Sequence, residues 1–137
     1  MSEPNASADQ PDADAELIDP AFARWRRAHR AASFVLGALA LAHAVLTVTL
    51  YDAWSPDAVW FLGTGLGLLL LAVMNLAHVG FAPCTMPTAP AVRMANWVFV
   101  LFSLGALAAV PEPQAAVIVA ALLVQAVSSH RTLRGTA

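Results

Sequence analysis

Charge is what this sequence has least of: Asp, Glu, Lys and Arg together make 12% of the 137 residues, against 59% hydrophobic. Soluble domains carry about a quarter charged residues, so this composition excludes an ordinary water-facing fold and asks for a lipid surrounding. Cysteine is scarcer still. A single one, Cys84, rules out an intramolecular disulfide and the two- and four-cysteine metal patterns. It also disfavours disulfide relay, which passes a bond between paired thiols. Cys84 therefore reads as a plain loop cysteine with Met86 as a soft neighbour.

The apolar runs, at 31–50, 58–81, 94–110 and 115–127, contain no acidic or basic residue. Charges buried in a bilayer are the usual carriers of proton coupling, voltage sensing and ion-pair-gated transport. Their absence disfavours a proton-driven exporter, because small four-helix exporters rely on an embedded carboxylate. The arginines are not free to form a groove away from the membrane, so no nucleic-acid partner is expected.

Each apolar run is bounded by charge or proline. A hydrocarbon core of roughly 30 Å takes about 20 residues of helix per crossing, which fits four crossings and one membrane domain. The fold expected is all-α, a four-transmembrane-helix antiparallel bundle, with helices at about 30–51, 57–81, 91–110 and 113–130 inside a domain spanning 23–137. The connections are too brief for a closed β-barrel, and lipid tolerates no unpaired backbone, so helices are the remaining solution. Residues 1–22 read as a disordered acidic tail: six acidic residues fall within 1–20, and almost nothing there could form a core. The long acidic lead excludes a secretory signal peptide and makes the first helix an uncleaved anchor.

All the basic residues are arginine: Arg24, Arg26, Arg27, Arg30, Arg93, Arg131 and Arg134. They fall beside the termini and the middle loop, whereas the other two loops hold Asp52, Asp57 and Glu112. The positive-inside rule then places both termini in the cytoplasm, across a bacterial inner membrane. Trp25 and Trp97 fall near one boundary, Trp54 and Trp60 near the other, as interfacial rings prefer. A faint echo between residues 30–35 and 93–98 suggests a duplicated hairpin.

Chemistry must then come from neutral polar groups, which sort by depth into two layers. Asn75, His78, Asn96 and Gln125, with Ser33, form an inner layer whose amides suit interhelical hydrogen bonds or a small-molecule or lipid pocket. His43 lies nearest the bilayer middle, with Thr64 and Ser103 at similar depth as partners. A haem held by His43 and His78 is rejected, because the two lie roughly 15 Å apart along the normal and axial ligands must face each other. A haem between protomers, with His43 from each, escapes that objection. No cofactor and no metal site is expected. His29 and His130, among the arginines, are expected to be solvated. Gly63 and Gly67 fall on one helix face and suggest close packing, within the bundle or between subunits.

The first-helix histidine, the Trp60-Phe-Leu-Gly63-Thr64-Gly65-Leu opening of the second helix and its Asn75-Leu-Ala-His78 ending resemble small four-helix bacterial membrane proteins that lack an assigned activity. DoxX-like proteins are similar in length and helix number over residues 30–130. The resemblance implies a helical bundle and no particular reaction. The function expected is that of a non-enzymatic accessory or assembly protein in the lipid bilayer, with a second copy or another membrane protein as partner. The alternatives are a lipid or small-molecule binder using the inner layer, and a haem or metal protein using His43.

Overall fold

The structure is a computed structural model describing residues 20–80 and 89–132. The expected tail through residue 19, and Cys84 in the middle loop, lie outside the described residues. The described residues form four helices: α1 (Pro20–Leu50), α2 (Pro56–Gly80), α3 (Ala89–Ala109) and α4 (Pro113–Thr132). Each is long and apolar enough to cross a membrane. At about 1.5 Å per residue even the shortest spans roughly 30 Å.

Local chemistry sets the helix starts. Ser55 caps α2, its hydroxyl accepting the Ala58 N–H at 3.2 Å while its carbonyl accepts the Val59 N–H at 3.0 Å. Pro56 then fills the first helical position, where no N–H is needed, and Asp57 sits at the positive end of the helix dipole. Pro111 and Pro113 flank Glu112, whose carbonyl receives the first α4 bonds from Ala115 and Ala116. At the chain's beginning the structure departs from expectation. α1 starts at Pro20 rather than near residue 30, so residues 20–22, expected in the tail, are helical. The arginine-rich lead carries no helix breaker after Pro20 and simply extends the first helix.

The buried residues trace one seam per helix. On α1 they are His29, Ser33, Leu36, Ala40, His43 and Thr47, with Ala32 beside them. On α4 they include Ile118, Leu122, Gln125, Ser129 and Thr132. Steps of four and three residues hold one face toward neighbouring helices, as in a coiled-coil seam. Leu36, Ala40, Leu68, Leu71, Ala72, Val100, Ile118, Leu122 and Ala126 form the apolar core. α1 is central, packing against both α2 and α4; α4 also packs on α3, while α2 and α3 barely touch. Along α1 and α2, Arg26 meets Val79, Gly37 faces Ala72, His43 faces Gly65 and Tyr51 approaches Phe61, so one numbering rises as the other falls.

Fully buried polar residues adjoin the apolar core, and large apolar side chains cover the surface. His29, Ser33, Asn75, Asn96, Gln125, Ser128 and Ser129 have no exposure, while Phe34, Leu41, Leu70 and Leu101 are each more than 60% exposed. Water would penalise that arrangement, whereas hydrocarbon removes the penalty on the apolar side chains and makes buried polar pairing necessary.

Candidate functional site

The polar residues gather where α1 and α3 begin and α2 and α4 end. Asn75 and Asn96, both fully buried, face each other across α2 and α3 with reciprocal amide bonds, each 2.9 Å. Asn75 also donates to the Leu71 carbonyl at 2.8 Å, one turn back on its own helix. This closed pair is one of the few places where α2 and α3 meet; the Phe99 ring over Gly67 is another.

Gln125 of α4 joins a second group. Its Nε2 lies 3.0 Å from His29 Nε2 and 3.0 Å from Ser33 Oγ, while Ser33 Oγ lies 2.9 Å from the His29 carbonyl. An amide N–H donating to the imidazole leaves Nε2 as acceptor and places the ring proton on Nδ1. Asn75 and His78 flank this ring from α2, yet no acceptor meets Nδ1 at hydrogen-bond geometry. The inner layer is therefore a pair and a triad, mostly bonded internally.

His29 corrects the expectation that it would be solvated: it is fully buried. Flanking arginines suggested a wet surface, but His29 stands four residues before Ser33 and so shares its seam. That spacing was the available sequence signal. Arg26, Arg27 and Arg30 fall on the exposed sides of the same turns.

His78 belongs to the layer by position but is not bonded into it. Its buried Nδ1 meets no partner, and Arg93 of α3 lies within electrostatic reach of its ring. Arg93 is half-buried, and its buried Nε also lacks an acceptor. Beside them Arg26 of α1 donates from Nη2 to the Val79 carbonyl at 3.1 Å, capping the negative end of α2. Arg131 stacks over Trp25 with its guanidinium 5.8 Å from the ring centroid.

His43 is buried on α1, its Nδ1 2.9 Å from the Leu39 carbonyl and its ring stacked on Phe61 at 4.5 Å. Thr64, expected as its partner, instead returns its hydroxyl to the Trp60 carbonyl at 3.0 Å; Ser103 is buried on α3. His43 is level with Gly65, and His78 lies about 20 Å further along α2 at the helical rise, so one haem cannot take both. Among the described residues no group of three His, Cys, Asp or Glu is placed to hold a metal ion.

The glycines of α2 are placed differently from one another. A Cβ on Gly65 would stand 2.7 Å from His43 Cβ and 3.2 Å from the Ala40 carbonyl oxygen, so α1 and α2 approach closely at Gly65. Gly67 packs under Phe99, with 3.2 Å left for a Cβ, while Gly63 faces open space. Sharing a face by sequence spacing did not decide which glycine meets a backbone. At the opposite end, Thr47, Val48, Tyr51, Asp52, Ala53, Trp54 and Ala58 line a cavity of about 140 Å³.

The chain matches no known family, no curated protein and no solved structure.

Proposed function

We propose that this chain is a multi-pass inner-membrane protein, an antiparallel four-helix bundle with both termini in the cytoplasm, that works without catalysis as an accessory or assembly subunit. The observation that carries this reading is the way the buried polar groups are used. Asn75 bonds Asn96, and Gln125 bonds His29 and Ser33, so these groups fasten helices together instead of converging on an open substrate cavity. Interhelical bonds of this kind contribute roughly 1 kcal/mol each within a bilayer.

The outward face supplies the means of assembly. On α2, Val59, Gly63, Leu66, Leu70 and Val73 repeat at steps of four and three residues and are all exposed. This second seam mirrors the one buried against α1, with glycine at a position that would let another helix approach. A second copy of the chain fits it by shape, since the stripe is apolar and uncharged.

Two measurements test the reading. Gly63→Leu, placed in open space, should leave the melting temperature in detergent unchanged while reducing association between labelled copies in bilayers by about tenfold. Association equal to wild type would remove the assembly role. Reporter fusions at Asp52, Glu112 and the C-terminus should place the two loops outside and the terminus inside, following the arginines. A cytoplasmic signal from either loop would refute the orientation.

A further inference from the structure

At the end of α2 cationic and imidazole groups gather with no acidic side chain beside them among the described residues. The buried side-chain atoms that lack a partner among the described residues are His29 Nδ1, His78 Nδ1 and Arg93 Nε. His78 lies within electrostatic range of His29, and Arg93 within that of His78. Arg26 adds a second guanidinium, bonded to the carbonyl of Val79 next to His78. The acidic side chains among the described residues are at the other end, Asp52 and Glu112 in the loops and Asp57 in the first turn of α2.

Removing a guanidinium partly from water without giving it a counter-charge is costly, and burying its Nε–H without an acceptor adds to the cost. Water can satisfy an N–H group but cannot neutralise the cation. A tetrahedral oxyanion does both, accepting charge-assisted bonds from the guanidinium and the imidazole together. Depth selects the kind of anion. His78 is two residues from the end of α2 and Arg93 four residues from the start of α3, both within about 6 Å of the helix ends, where phospholipid phosphates lie.

We infer that Arg93, His78 and Arg26 form a binding site for a phosphate group at the arginine-bearing end of the bundle, one turn beyond the Asn75–Asn96 pair. The shared chemistry covers an anionic lipid headgroup and free phosphate. Arg93 supplies charge and the buried Nε–H donor, His78 a neutral ring N–H, and Arg26 a second charge oriented by its bond to Val79. His29 stands behind His78 as the deeper neighbour. Arg24, Arg27 and Arg30 are exposed on α1, as Arg26 is, but among the described residues Arg26 is the one of the four bonded to α2, and Arg131 is engaged with Trp25. The site is separate from the exposed Gly63 seam, so Gly63→Leu should leave phosphate binding intact and the two proposals fail independently.

The experiment uses the full chain in nanodiscs of phosphatidylcholine with a minor fraction of phosphatidylglycerol. Retained lipid is counted by native mass spectrometry after mild extraction, and melting is followed in detergent with inorganic phosphate against chloride at matched ionic strength. Arg93→Gln should lower phosphatidylglycerol retention about tenfold, whereas Arg27→Gln, the same charge change at an exposed position, should alter it less than twofold. His78→Gln keeps a neutral polar side chain and should lower retention about threefold, which covers the case in which Arg93→Gln does not fold. If inorganic phosphate raises the melting temperature of the wild type but not of Arg93→Gln or His78→Gln, without selective lipid retention, the source is free phosphate and the site stands. If Arg93→Gln and Arg27→Gln lose lipid equally and phosphate has no effect on the wild type, the site is refuted and only the diffuse attraction of surface arginines is left. Unchanged retention and melting in both Arg93→Gln and His78→Gln would refute it as well.

Discussion

At Gly65 the missing side chain is a structural requirement, because an added Cβ would lie 2.7 Å from His43 Cβ and 3.2 Å from a backbone oxygen. Neither atom is the free end of a flexible chain, so Gly65→Ala should force α1 and α2 apart and cost about 1–3 kcal/mol. Gly63→Ala meets nothing and should change stability by less than about 0.5 kcal/mol, or improve it slightly through helix propensity. Thermal melting of the two proteins side by side in one detergent checks the contrast; equal melting would show that α1 does not approach α2 at Gly65. The polar residues give a second comparison. Gln125→Leu removes a partner from both His29 and Ser33 and should cost about 1–2 kcal/mol. Melting equal to wild type would mean that these bonds do not fasten α4 to α1.

Between elements, the contacts are unequal: α1 holds α2 and α4, whereas α2 and α3 touch at few places. The Asn75–Asn96 pair thus ties together helices with little other contact. Asn75→Leu alone leaves Asn96 with unpaired amide groups, and the reverse holds for Asn96→Leu, whereas the double substitution leaves neither. The double mutant should be more stable than the sum of the single losses predicts, by about 1 kcal/mol. A strictly additive result, measured by denaturation in mixed micelles, would show that the amides find other partners. Sequence depth placed both asparagines in one layer, but depth is one coordinate. Rotation about the helix axes, set by the four-and-three seams, decided that they pair with each other and that Gln125 turns to His29. For the same reason the sequence reading left His29 outside any site: its neighbours in the chain are arginines, while its neighbours along the helix face are Ser33 and Leu36.

For the whole molecule, the apolar surface leads to an expectation about its surroundings. Removed from detergent or lipid, the exposed faces bearing Phe34, Leu41, Leu70 and Leu101 would meet water directly. The chain should aggregate when detergent is diluted below its micelle concentration and stay dispersed in nanodiscs, as light scattering would show. A monodisperse chain in plain buffer would contradict a lipid environment.

Four apolar helices were determined by sequence alone, because run length against bilayer thickness and the prolines and charges between runs are properties of the linear chain. The placement of arginines on one side is equally linear. Which polar group meets which required the tertiary structure, since hydrogen bonds depend on azimuth and on the neighbour each helix chooses, and α4 packs on α1 as well as on α3 while the chain-adjacent α2 and α3 barely touch. The orphaned nitrogens of His78 and Arg93 belong to that same class: composition counts the donors, and only packing shows which of their nitrogens are buried without a bonding partner among the described residues.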